Sequence, residues 1–112
     1  MAQYLLLLHG DPSSQPGFSP EEMQKITEKY MAWSKRPYTR DSKGLRPDPG
    51  KIIRSAGGQT RTTDGPYSET KEILVGYYAI EAANYDEAVK LALDHPHLEY
   101  GGTIEVRQVW GM

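Results

Sequence analysis

Apolar side chains recur along this chain with two periods, and the points where one gives way to the other divide it into strands and helices. Residues 5–8 are four consecutive leucines followed by His9, Gly10, Asp11 and Pro12. That pattern predicts a strand buried on both faces and closed by turn residues. A polar stretch over residues 13–17 leads to Ser19-Pro20-Glu21-Glu22. Ser19 can cap a helix there, Pro20 suits its first position, and Glu22 completes a capping box. Met23, Ile26, Tyr30 and Trp33 then fall on one helical face. Pro37 disfavours helical geometry in the residue before it, so the helix is expected to stop at Lys35 or Arg36.

Residues 37–50 hold three prolines, two glycines and many charges, and are expected to form an exposed loop. Residues 51–55 and 59–63 are short β-prone runs on either side of Ala56-Gly57-Gly58, a hairpin signal. Residues 73–81, rich in Ile, Val and Tyr, make the clearest strand. Asn84 is placed to cap a second helix, with Glu87 three residues on and Ala88, Val89, Ala92 and Leu93 as its apolar positions; Pro96 ends it. Residues 103–110 alternate, Ile104 and Val106 to one side and Glu105 and Arg107 to the other. Strand, helix, hairpin, strand, helix, strand is the order of a ferredoxin-like α+β domain, an antiparallel sheet with two helices on one face. The strands at 5–8 and 73–80 would then leave apolar side chains on the uncovered face, and a homodimer packed sheet to sheet is the simplest cover.

Composition narrows the choices further. The 112 residues fit one domain over 1–112. Hydrophobic residues make up 38% and charged residues 25%, an ordinary soluble balance. A formal charge of −2 leaves no excess of Lys and Arg to neutralise phosphates, so no nucleic-acid partner is expected. The absence of cysteine excludes disulfides, thiolate catalysis and zinc–thiolate sites. The leucine run is too short to span a membrane and has no basic flank or cleavage site, so no membrane partner and a cytoplasmic location are the expectation.

The sharpest local feature is Asp64-Gly65-Pro66-Tyr67-Ser68-Glu69-Thr70-Lys71-Glu72. Asp64 can bond to nearby backbone N–H groups, Gly65 accepts positive φ, and Pro66 fixes its own φ. Together with Val75-Gly76-Tyr77-Tyr78, Asp86-Glu87-Ala88, His95-Pro96-His97-Leu98 and residues 101–107, the motif resembles the DGPF branch of the YCII-related family. The resemblance implies a ferredoxin-like fold, a dimeric α/β-barrel type assembly with facing sheets, and a cleft bounded by both subunits. It also implies relatives that are mostly uncharacterised, some similar to small-molecule enzymes, and often encoded beside extracytoplasmic-function sigma factors. Three departures stand out: Tyr67 replaces the usual phenylalanine, residues 35–49 are proline-rich and charged where relatives usually continue the helix and then turn, and the first helix offers Tyr30, Met31 and Trp33 where the YCII branch carries a histidine. A His–Asp catalytic pair therefore does not carry over.

The candidate site residues follow from chemistry and position. His9 beside Asp11 is a potential general base, or a strand-end histidine bonded to backbone. Asp64 is a catalytic carboxylate or an Asx-type turn residue. Tyr67, Glu69, Lys71 and Glu72 line a cleft or lie on a solvated surface, and Trp33 either packs in the core or offers a stacking platform. Glu105 and Arg107 share a strand face, where Arg107 can anchor a carboxylate. His95 and His97 form no convincing metal site, since two ligands in a loop lack a third; His95 is expected to interact with the preceding helix C-terminus. The pattern favours a pocket for a small anionic or aromatic ligand, in a cofactor-independent isomerase- or lyase-type enzyme or in a non-catalytic regulatory module. No metal or cofactor is implied.

Overall fold

Burial alternates along the first strand, β1 (Ala2–Gly10): Tyr4, Leu6 and Leu8 are buried, while Leu5, Leu7 and His9 are half-buried. The computed structural model behind this description covers residues 1–14, 17–67 and 71–111. β1 pairs antiparallel with β5 (Ile73–Ala82) on one side and with β6 (Thr103–Gln108) on the other. Directly opposed residues share a face, so Leu6 stands with Tyr78 and Val106, and Leu8 with Gly76 and Ile104. Helix α1 (Pro20–Ser34) and helix α2 (Tyr85–Ala92) both cover that face, through Trp33 and through Ala88 and Ala92. No helix among the described residues lies over the other face, which carries Leu5, Leu7, Tyr77 and Ala79. On this second face Leu5, Leu7 and Tyr77 are only half-buried in the single chain, and Ala79 alone of the four is buried.

The capping signals operate as the sequence predicts. The Ser19 hydroxyl accepts from the Glu22 N–H at 3.1 Å, and the Glu22 carboxylate accepts from the Ser19 N–H at 3.2 Å. Asn84 caps α2 through the Glu87 N–H at 2.9 Å. α1 ends at Ser34, with Lys35 as its C-cap.

Three expectations need correction. Residues 37–50 are not all loop: β2 (Thr39–Gly44) pairs antiparallel with β5 as an edge of the sheet, whose order is β2-β5-β1-β6. An edge strand bonds on one side only and can be polar throughout. Thr-Arg-Asp-Ser-Lys-Gly therefore shows no apolar alternation, and its charges discourage further pairing. The hairpin β3 (Lys51–Ala56) and β4 (Gln59–Asp64) forms as expected, but as a separate two-stranded sheet, turned by Gly57 and Gly58 at positive φ. The main sheet order is compatible with a ferredoxin-like arrangement, with the hairpin inserted between its second and third strands. Pro96, expected only to end α2, also opens a third short helix, α3 (Pro96–Glu99).

Candidate functional site

Between α1 and the β2–β5 side of the sheet the helix does not close down on the strands. A cavity of about 660 Å3 opens there, walled by Leu8, Ile26, Met31, Leu45 and Val75, with Tyr30, Tyr78 and His97 also lining it. The His97 ring is fixed at both nitrogens. Nε2 lies 2.7 Å from the His9 carbonyl oxygen and Nδ1 lies 2.9 Å from the Tyr30 hydroxyl. A carbonyl oxygen only accepts, so Nε2 carries the proton; in the neutral ring Nδ1 then accepts from the Tyr30 O–H. Burial holds the His97 pKa down, against the opposing effect of its bond to the His9 carbonyl. Burial, with the neighbouring Tyr100, pushes Tyr30 up to about 12. Both members of the pair are therefore neutral near pH 7. Gly102 makes room for this ring, since a Cβ there would meet His97 Nε2 at 2.2 Å.

Next to it, His95 is 1% exposed and packs among Trp33, Tyr78 and Tyr30, with ring centroids at 4.7, 4.5 and 5.5 Å. Its Nδ1 accepts from the His97 backbone N–H at 3.0 Å and so caps α3, while its own backbone N–H donates to the Ala92 carbonyl at the C-terminus of α2 at 3.0 Å. Its Nε2 has no hydrogen-bond partner among the described residues. Burial first, and the nearby His97 second, lower its pKa to about 4.

On the open sheet face His9, Glu105 and Arg107 come together. His9 Nε2 is 3.0 Å from a Glu105 oxygen, and Arg107 lies 3.5 Å from the other. The bond from His9, with help from Arg107, keeps the Glu105 carboxyl below the usual carboxylate range. The β1–β5 register shifts between Leu8 and His9, and this irregularity sets the His9 side chain opposite Leu74. A second cleft of about 750 Å3 runs from His9 and Leu74 to Arg46, Lys51, Tyr67 and Glu72.

The remaining sequence-predicted residues are distributed differently. Asp64 is ion-paired with Lys51 at the base of the hairpin, and no contact joins it to His9. Tyr67 is exposed, with the Arg54 guanidinium 5.4 Å from its ring centre. Lys71 is exposed, and Glu69 lies outside the described residues. Trp33, 2% exposed, is a core residue whose indole N–H donates to Asp94 at 3.1 Å. Gly65 does not take the positive φ expected of it. It is required for another reason: a Cβ there would lie 1.9 Å from the Pro49 carbonyl oxygen, while its N–H donates to Gly50 at 2.9 Å. Among the described residues no group of three His, Asp or Glu converges to hold a metal, and no helix is long and apolar enough to cross a membrane.

The YCII-related domain matches residues 2–112. The chain belongs to the YCII-related family. An uncharacterised protein of Rhizobium meliloti (strain 1021) is 33% identical over 112 residues, covering 93% of this chain and 89% of the relative. Membership brings no assigned chemistry with it. Tyr30 and His97 were on view in the sequence, one on the apolar helix stripe and the other in a His-Pro-His turn. Only their separation of 67 residues hid the bond between them.

Proposed function

We propose that this YCII-related protein binds a small, mostly apolar molecule in the helix-side cleft, with Tyr30 and His97 as its polar contacts. The observation that carries the reading is a neutral, desolvated Tyr–His pair set into a mostly apolar cavity of about 660 Å3. With Nδ1 already accepting from Tyr30, a proton from a bound molecule would pass to the Tyr30 oxygen as the Tyr30 proton moves to His97 Nδ1, a relay that fits a cofactor-independent enzyme of the isomerase or lyase type. The alternative is a non-catalytic regulatory module using the same cleft, the role suggested by the DGPF-like motif and its sigma-factor setting.

Co-purification tests the reading. Protein taken directly from cells should release a small molecule detectable by mass spectrometry, and co-crystals should seat it against Tyr30 and His97. A cleft closed by Met31 and Ile26, with no molecule released, overturns the proposal. Turnover of the recovered molecule, lost in a folded His97→Gln protein, would make it an enzyme; binding without turnover would make it a module.

A second reading rests on the other face. Leu5, Leu7 and Tyr77 form a half-buried apolar strip, with no helix over it, flanked by the His9–Glu105–Arg107 group. A homodimer joined there would enclose those three side chains in a cleft suited to a small anion held by Arg107, with His9 as proton carrier.

A further inference from the structure

We propose that the helix-side cleft selects its ligand by hydrogen-bond direction: it takes a neutral molecule, apolar over most of its surface, that donates a hydroxyl or amine proton to the Tyr30 oxygen, and it discriminates against carboxylates. The proposal rests on the reading of this cleft as the binding site. It follows from where the protons of the lining side chains point. The His97 N–H is committed to the His9 carbonyl, and the Tyr30 O–H is thereby committed to His97 Nδ1. The Tyr78 hydroxyl donates to the Tyr30 carbonyl at 3.0 Å, Thr27 to the Met23 carbonyl at 2.9 Å, and Ser34 to the Met31 carbonyl at 2.6 Å. All five side chains line the cleft. Each hydroxyl oxygen keeps lone pairs but has spent its donor.

A ligand O–H or N–H entering this lining finds acceptors. A carboxylate finds oxygens of its own polarity and loses its hydration without replacement, at a cost that a neutral molecule avoids. Among the described lining side chains, the donors left over are Ser42 and Lys43 on the edge strand β2, and Tyr100 just after α3, whose oxygen accepts from Lys29 at 3.0 Å. They belong to the margins of the sheet and of α3, whereas Tyr30 and His97 bridge α1 to the strand end.

Isothermal titration of the full chain at neutral pH with 2-naphthol, 2-methoxynaphthalene and 2-naphthoate tests this. The three share one apolar body and present a donor, a bare acceptor and an anion. The naphthol should bind about fivefold to tenfold more tightly than the ether, the value of one net hydrogen bond, and the naphthoate should bind least. A crystal of the naphthol complex should place its oxygen within hydrogen-bond distance of the Tyr30 oxygen. Ether or naphthoate binding as tightly as naphthol overturns the inference and leaves the cleft as a binding site; so does a naphthol oxygen on Lys43 or Tyr100. No binding by any of the three overturns the inference and the reading beneath it.

Discussion

His95 shows how one buried side chain couples this fold to pH. Packed among three aromatic rings, it stays neutral and caps α3 through Nδ1. Its pKa falls from 6.5 to about 4 on folding, so between those values the unfolded chain binds the proton more readily than the native one. Its contribution to stability is therefore complete above about pH 6.5 and is lost as pH falls toward 4, by about 3 kcal/mol in all. His97, whose pKa is also lowered, acts in the same sense. Urea unfolding between pH 4.5 and 7.5 should show stability rising with pH, with a smaller slope in His95→Asn, which keeps an acceptor for the cap. An equal slope in the variant would remove His95 from the account.

Among the elements, the hairpin depends on its stem. A two-stranded ribbon is marginal alone, and every residue of β4 is exposed, so little packing holds the arm in place. The Lys51–Asp64 pair and the Gly65 N–H to Gly50 bond close its base, where Gly65 lies against the Pro49 carbonyl. Gly65→Ala, and more so Gly65→Val, should lower stability by about 1–3 kcal/mol through that clash, and should speed backbone amide exchange first in β3 and β4. An unchanged melting temperature and exchange pattern would show that the Pro49 segment yields freely.

At the scale of the molecule, the two faces of β1 make opposite predictions. Leu6 is 0% exposed beneath the helices, and Leu6→Ala should cost about 2–5 kcal/mol in any assembly state. Leu7, half-buried on the open face, matters to the fold much less. If the open faces meet in a homodimer, Leu7→Glu should yield a folded monomer by light scattering, with unchanged far-UV circular dichroism. A monomeric wild-type protein would dismiss the sheet-to-sheet dimer, and the enclosed His9–Glu105–Arg107 cleft with it.

What was legible in the chain alone was what neighbours in sequence decide. Ser19, Pro20 and Glu22 begin a helix, and Asn84 and Glu87 begin another, because a cap and its partner lie within one turn. The turn residues of the hairpin and the family motif are local in the same way. Tertiary structure alone decided the rest. The polar strand β2 is a strand because β5 offers it an edge, and Gly65 is needed because Pro49 packs against it. His9 meets Glu105 across 96 residues of chain, and Tyr30 meets His97 across 67. Such pairs leave no periodic signal, since the partners share only a place in space; at Tyr30 and His97, burial keeps both groups neutral and the His9 carbonyl sets the direction of their protons.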